Sequence, residues 1–210
     1  MNCPLCLHSE SAMFHLDPLR TYYRCSRCRL IFVDSKNLPA PDQEKERYQQ
    51  HKNDSEDGGY VEFMYTFIHP LTKRITKNCS GLDYGSGPTP VLANLLEKEG
   101  YKISIYDPFF ANNTKVLSNT YNYLTCVETA EHFHQPAQDW KTMIGLVKKG
   151  GWLGVKTSMF HENINFSSWH YKRDFTHVCF YSEETLRWIA AKYELQLQVE
   201  DGSTVFFKVR

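Results

Sequence analysis

A glycine turn between two predicted strands constrains the fold of this chain more than any other feature. The run from Gly81 to Pro88 reads GLDYGSGP, and its glycines permit a sharp change of direction. Asp107 follows as the last residue of the alternating stretch that begins at Tyr101. A strand, a glycine turn, a helix and a second strand ending in a carboxylate predict half of a nucleotide-cofactor site. The turn lets the backbone approach the ligand, and the acid accepts hydrogen bonds from ribose hydroxyls.

Two details of the turn narrow the class of cofactor. A dinucleotide fingerprint needs a third glycine near position 90, where this chain has Pro88, Thr89 and Pro90, so pyrophosphate binding is disfavoured. The acid two residues before the first glycine, Asp83 before Gly85, resembles the first motif of class I S-adenosylmethionine-dependent methyltransferases. The resemblance covers roughly residues 60–210 and continues through the segments 106–109, 126–132 and 146–153.

The resemblance implies an α/β fold with a Rossmann-like methyltransferase sheet of seven strands, the last of them antiparallel. It implies S-adenosylmethionine as the cofactor, with the ribose on Asp107 and the amino-acid end against the glycine turn. The implied cofactor-binding residues are Tyr60, Asp83, Gly85, Gly87, Asp107, Pro108, Phe109 and Glu128.

The chain departs from the family pattern at three places. Thr89 stands where a third glycine is common, and we expect it to cap a helix whose first residue is Pro90. Asn122 stands where an aspartate commonly precedes the fourth strand. Only 15 residues separate Asp107 from Tyr123, so the third strand should be short or missing.

Apolar spacing and capping residues predict the remaining elements. A helix is expected from Tyr60 to Leu71, and Ser182 is expected to cap the last helix. The other predicted helices lie near Pro90–Glu99, Pro136–Lys148 and Glu183–Tyr193. Leu195–Val199 and Thr204–Val209, joined through an Asp-Gly pair, should form a closing hairpin.

The N-terminal segment contains two pairs of closely spaced cysteines. Cys3 and Cys6 form one Cys-x-x-Cys pair, and Cys25 and Cys28 form a second. Four thiolates at this spacing are typical of a closed, structural zinc site, which predicts a small zinc ribbon. Disulfides or a redox pair are the alternatives. We expect a reduced, cytoplasmic protein, because the chain shows no signal peptide and its other cysteines stand in apolar stretches.

These signals divide the chain into three parts, and the first and the last of them should have separate cores. The prediction is a zinc ribbon over residues 1–38, a polar linker over 39–58 and a methyltransferase domain over 59–210. No apolar run approaches the length of a membrane span, so no membrane partner is expected. The formal net charge of zero argues against a wide nucleic-acid footprint, although four arginines cluster on the ribbon: Arg20, Arg24, Arg27 and Arg29.

Candidate catalytic residues follow the predicted fourth and fifth strands, because open α/β sheets bind ligands at the carboxyl ends of their strands. The long connection 161–180 is rich in polar aromatic residues and should form a lid, on which Trp169 and Tyr171 could face the sulfonium cation. The candidate general bases are His132, His170 and His177.

A Glu-x-x-Glu-His run permits a sharper interpretation of the same region. It resembles the metal-binding motif of small-RNA 2′-O-methyltransferases, which implies a second divalent metal at Glu128, Glu131 and His132, joined by His170 or His177. In many methyltransferases without a metal, the same run instead caps a helix and lines the pocket.

The resulting functional hypothesis is an S-adenosylmethionine-dependent methyltransferase. It acts on a small molecule, on oxygen, by in-line displacement with a histidine base. An RNA methyltransferase that grips RNA through its ribbon is the alternative. A non-catalytic cofactor-binding protein that works through its ribbon as an interaction module is the second alternative.

Overall fold

The computed structural model describes residues 1–50 and 57–210. The helices are α1 (Pro41–Gln49), α2 (Gly58–Thr72), α3 (Val91–Lys98), α4 (Pro136–Gly145) and α5 (Glu183–Lys192). The strands are β1 (Ser11–Leu16), β2 (Thr21–Cys25), β3 (Ile31–Val33), β4 (Ser80–Tyr84), β5 (Lys102–Tyr106), β6 (Tyr121–Val127), β7 (Val147–Lys156), β8 (Cys179–Phe180), β9 (Gln196–Val199) and β10 (Thr204–Lys208).

The larger sheet has the order β5-β4-β6-β7-β10-β9. Its first four strands are parallel, and β10 pairs antiparallel with both β7 and β9. The antiparallel final strand and the closing hairpin are therefore confirmed. The prediction of seven strands is wrong for the described residues, because the sheet has six. Where a third strand would lie, a short 3-10 turn, Thr114–Ser118, connects the end of β5 to β6.

Alternate residues of the strands pack on opposite faces of this sheet, as the period of two in a strand requires. Phe206 and Tyr123 face the cluster that contains α2 and α3, whereas Phe207 and Leu124 face the cluster that contains α4 and α5. Both faces are covered by helices, so the sheet is buried as a parallel sheet must be. The α/β Rossmann-like architecture is confirmed.

The predicted helices form with small changes at their ends. Ser182 caps α5 by accepting from the Thr185 N–H at 3.2 Å, as expected. The capping role of Thr89 is wrong, because Pro90 is the N-cap of α3 and no side chain caps this helix. Asn122 has a clear role in place of the family aspartate: its Oδ1 accepts from both the backbone N–H and the hydroxyl of Ser80, which aligns β6 with β4.

The N-terminal segment forms a second, antiparallel sheet of order β1-β2-β3-β8. Its fourth strand, β8, comes from the long connection after β7, so the ribbon and the methyltransferase part share a sheet. They also share one apolar cluster, in which Cys3 and Leu30 belong with Leu82 and Trp140. The expectation of separate cores is therefore wrong. The segment taken as a linker, 39–58, contains α1, and residues 51–56 of it lie outside the described residues.

Every described helix is too short or too polar to cross a lipid bilayer.

Close packing of α2 on the sheet generates a prediction at Gly154. A Cβ atom added there would lie 2.7 Å from Phe67 and 2.8 Å from Phe206, whose rings stack on each other. We expect Gly154→Ala to lower the free energy of unfolding by about 1–3 kcal/mol, the usual cost of overpacking a core. Urea denaturation measures this, and Gly145→Ala is the control because its Cβ would meet nothing within 4 Å. Equal stability of the two variants would contradict the packing described here.

Candidate active site

The carboxyl ends of β4, β5 and β6 open into a cavity of about 890 Å³. The glycine turn forms one wall of it, with φ of 85° at Gly85 and 67° at Gly87, a conformation that favours glycine. The N–H groups of Gly85 and Ser86 donate to the carbonyl of Tyr106 at 2.8 and 3.2 Å. A Cβ on Gly85 would lie 2.1 Å from the Thr129 side chain, so position 85 has no room for a larger residue.

Asp107 fixes the other end of the turn. Its carboxylate accepts hydrogen bonds from the N–H groups of Gly87 at 2.9 Å, Phe109 at 2.8 Å and Phe110 at 3.1 Å. A carboxylate has about four lone-pair positions, so these three bonds leave capacity for a ribose hydroxyl. The hydroxyl of Ser86 is buried in the same turn and has no hydrogen-bond partner among the described residues. An unsatisfied hydroxyl in the turn fits a site that a polar ligand completes.

The other predicted cofactor contacts also line this cavity: Tyr60, Asp83, Pro108, Phe109 and Glu128. Asp83 is almost fully buried and accepts from the Thr125 hydroxyl at 2.7 Å. Burial raises the pKa of Asp83 to about 7, and the nearby charge of Asp107 adds to the effect. Burial likewise raises the pKa of Glu128 to about 7, although the Lys156 ammonium opposes the shift.

His132 and His177 form a close pair on the far wall of the cavity, with their ring centroids 4.8 Å apart. Nδ1 of His132 lies 3.0 Å from the Thr176 carbonyl, and Nδ1 of His177 lies 2.6 Å from the Tyr171 carbonyl. Because a carbonyl only accepts, each neutral ring carries its proton on Nδ1 and its lone pair on Nε2. Burial, with the neighbouring His177 ring, lowers the pKa of His132 to about 3, so this ring is neutral at physiological pH.

Glu131 lies fully buried beside the histidine pair. Its carboxylate accepts hydrogen bonds from the hydroxyls of Tyr171 and Thr157, the latter at 3.0 Å. Burial, together with the charge of Glu128, raises the pKa of Glu131 to about 8. The ligand atoms of Glu131, His132 and His177 all lie within 4.8 Å of one another. Glu128 and His170 are outside that group, so of the metal set predicted from the sequence only part comes together.

The long connection divides its residues between the cavity and the core. His170, Tyr171, Arg173, Asp174 and His177 line the cavity, as a lid would. Trp169 does not line it, because its ring is buried among Phe160, Phe166 and Phe180. The predicted contact of Trp169 with the sulfonium is therefore wrong. The Tyr171 hydroxyl is bonded to Glu131.

Helix α1 closes the cavity, and the sequence analysis missed it. The Arg47 guanidinium pairs with Asp174 at 2.8 Å and so ties α1 to the connection. The Tyr48 hydroxyl donates to Glu44 at 3.0 Å, and its ring lies 5.0 Å from His132 and 5.8 Å from Phe109. Pro41 at the first helical position and acids in the first turn were the available signals for a helix here.

The four N-terminal cysteines lie together, as the spacing predicts. Sγ of Cys3 is 3.5 Å from Sγ of Cys28, and Sγ of Cys6 is 3.4 Å from Sγ of Cys25. All four sulfur atoms lie within 4.8 Å of one another, whereas a disulfide joins sulfurs at about 2 Å. A hydrogen bond from Cys28 lowers the pKa of the Cys3 thiol to about 5. Four sulfur donors around one point could hold a tetrahedral metal ion.

Comparison with known proteins agrees with this geometry. The sequence model of a family described as a methyltransferase domain matches residues 46–199. The chain belongs to the S-adenosylmethionine-dependent methyltransferases. A search of curated proteins finds no match.

Solved structures share the fold at low sequence identity. The 1,6-didemethyltoxoflavin-N1-methyltransferase of Burkholderia thailandensis, with its substrate and S-adenosylhomocysteine bound, has a TM-score of 0.53 at 13% identity and covers 94% of this chain and 99% of its own. A Pyrococcus horikoshii protein has a TM-score of 0.56 at 13% identity, with 79% and 99% covered. An O-methyltransferase family protein from Burkholderia thailandensis has a TM-score of 0.52 at 12% identity and covers 83% of this chain, which spans 64% of that protein's length.

The buried carboxyl of this methyltransferase generates a prediction about pH. The pKa of Glu131 in the folded protein is about 8 against an ordinary value of 4.5, so folding favours the protonated form. This contribution to stability is complete below the ordinary value and is lost as the pH rises through 8. We expect Glu131→Gln, which cannot ionise, to lose less stability than the wild type between about pH 5.5 and 8.5.

Urea denaturation at several pH values, without added divalent ions, measures the difference. Glu183→Gln is the matched control, because Glu183 is an exposed carboxylate on α5 and its loss should leave the pH dependence unchanged. Parallel curves for wild type and Glu131→Gln would contradict the prediction.

Proposed function

We propose that this methyltransferase transfers the methyl group of S-adenosylmethionine to a hydroxyl oxygen of a small molecule. One observation carries the proposal: the glycine turn with Asp107 and the pair of His132 and His177 face the same cavity of about 890 Å³. A cavity of this size is in the range of small-molecule sites. The cofactor supplies a methyl group on a positive sulfur, and the protein must hold the acceptor in line with it and exclude water.

His132 is the proposed general base. Its proton is on Nδ1 against Thr176, so the lone pair on Nε2 can accept a proton from a substrate hydroxyl. A pKa of about 3 makes His132 a weak base, so we propose that the hydroxyl is an acidic one, such as a phenol or an enol. Aromatic rings on the cavity wall, including Tyr48, Phe109 and Phe133, suit a planar substrate.

The surroundings of the ribbon arginines do not favour the RNA alternative. Arg20 is buried and bonded to four backbone carbonyls. Arg24 pairs with Glu162 at 2.6 Å, and Arg29 lies 3.7 Å from Glu184. Only Arg27 of the four is exposed, so the cluster offers little positive charge to a phosphate backbone.

A divalent cation is the second candidate for the catalytic centre. The donor atoms of Glu131, His132 and His177 lie within 4.8 Å of one another, which is the observation that favours it. Two imidazoles and one carboxylate suit iron, manganese or a similar ion with open positions for substrate oxygens. In this variant of the proposal, Glu131, His132 and His177 would hold the ion, which would supply Lewis acidity to a bound substrate hydroxyl.

We further propose that the four cysteines bind a structural zinc ion. The donor set fits, because zinc prefers thiolates and four protein ligands leave no position for water. Cys25 lies at the end of β2, and Cys28 lies in the turn that follows β2 and leads to β3. Metal binding would therefore fix the start of the smaller sheet.

The functional proposal is tested by two substitutions with opposite expected effects. Asp107→Asn should weaken binding of S-adenosylhomocysteine by about 10- to 100-fold, because a charged acceptor of the ribose is lost. His132→Gln should leave that affinity within about two-fold but lower turnover by about 100-fold, the scale of a lost general base.

Calorimetry measures the affinity, and transfer of a labelled methyl group to a panel of phenols measures turnover. His161→Gln is the control, since His161 is an exposed histidine on the same connection and does not line the cavity. Full turnover in His132→Gln would eliminate His132 as the base.

Metal analysis of the purified protein tests both metal proposals. We expect one zinc per chain in the wild type, absent from Cys25→Ser, because three thiolates no longer close the tetrahedron. If a divalent ion occupies the catalytic centre, a second metal should be present in the wild type and absent from His132→Gln, which should retain the zinc. Zinc retained by Cys25→Ser would refute the cysteine site. If the wild type and His132→Gln each contain a single metal, the catalytic divalent ion is refuted and the general-base mechanism is retained.

A further inference from the structure

The loop of residues 170–177 carries the candidates His170 and His177. Several of its backbone carbonyls accept hydrogen bonds from the side chain of Arg20. The guanidinium of Arg20 donates to the carbonyls of Phe175 and His177 at 3.0 Å each. It also donates to the carbonyl of Asp174 at 3.3 Å and to that of Lys172. Arg20 belongs to the turn between β1 and β2, so the N-terminal sheet supplies the donors that shape this loop.

Two further carbonyls of the loop orient the two imidazoles. The Thr176 carbonyl accepts from Nδ1 of His132, and the Tyr171 carbonyl accepts from Nδ1 of His177. Each of these two carbonyls is adjacent in the sequence to a carbonyl that accepts a hydrogen bond from Arg20. A shift of the loop backbone would therefore change the orientation of both rings and the atom that carries each proton.

One ion pair, supported by a hydrogen bond within the N-terminal segment, and one strand pairing also connect the loop and its C-terminal flank to the N-terminal sheet. The Lys172 ammonium pairs with Asp17 at 2.8 Å, and the Tyr22 hydroxyl donates to Asp17 at 3.0 Å. β3 pairs with β8 in the register Ile31 to Phe180, immediately after the loop ends. The N-terminal sheet thus contacts the loop at its start, middle and end.

We propose that Arg20 is a positioning residue for the active site. Through Arg20, the N-terminal sheet sets the geometry of His132 and His177. This inference rests on the proposed function for its catalytic consequence. The flat guanidinium has five N–H groups in a fixed fork, which is what four carbonyls at different directions require. Lysine has three donors on one atom and cannot reproduce this pattern.

Arg20→Met tests the proposal, because it keeps an apolar stem and removes every donor. Nitrogen-15 NMR of the imidazoles reports which ring nitrogen carries the proton. We expect wild-type His132 and His177 in the Nδ1–H form, and in Arg20→Met a mixture of the two tautomers in at least one ring. Turnover with labelled S-adenosylmethionine should fall by about 10-fold or more, while S-adenosylhomocysteine affinity stays within about two-fold, because the Arg20 side chain donates to carbonyls of the loop and not to the glycine turn or Asp107.

Arg27→Met is the matched control, since Arg27 is exposed on the same N-terminal segment. This substitution should change neither the tautomer populations nor the turnover. Arg20→Lys should give an intermediate tautomer mixture. If Arg20→Met does not fold, Asp17→Asn provides a milder test, because it weakens the Lys172 contact and should shift the same signals in the same direction. Wild-type tautomers together with wild-type kcat in the folded variant would overturn the positioning role.

The two hypotheses fail in different ways. Tautomer changes in Arg20→Met without any methyl transfer by the wild type would refute the proposed function and keep the positioning role. Methyl transfer by the wild type that is unaffected in Arg20→Met would refute the positioning role and keep the proposed function.

Discussion

The need to satisfy buried and partly buried carbonyl groups connects the N-terminal sheet to the candidate active site. Six carbonyls between residues 171 and 177 accept hydrogen bonds from three side chains, Arg20, His132 and His177. A buried carbonyl without a donor costs about 1–3 kcal/mol, so an irregular loop inside the molecule needs such partners. One set of bonds thereby fixes the loop, orients the imidazoles and attaches the N-terminal sheet.

Electrostatics at the site follow from the same burial. The pKa of Glu131 rises to about 8 and that of His132 falls to about 3, because burial disfavours the charged form of each group. Burial thus favours the neutral form of both side chains in the metal-free protein. Neutral groups suit a site that must admit a positively charged sulfonium and an acidic hydroxyl. A cation held by these residues would reverse the preference, since ligands bind metals in their deprotonated forms.

Much of the cofactor half could be predicted from the sequence because its determinants are local. Gly85 and Gly87 need positive φ, and Asp107 contacts N–H groups two and three residues away as well as the turn. Such short-range requirements appear in the sequence as fixed spacing. The same reason explains why the cysteine cluster was predicted correctly as a group of four close sulfurs.

The sequence by itself determined the cofactor turn, the cysteine cluster, the order of the main elements and the antiparallel last strand. Only the tertiary structure decided which histidines meet, that Trp169 is a core residue, and that α1 closes the cavity with Tyr48. It alone paired β3 with β8 and so merged the ribbon with the methyltransferase core. Most of these features depend on contacts between residues far apart in the sequence, such as Tyr48 with His132 and Arg20 with His177, and no local pattern of residue types records them.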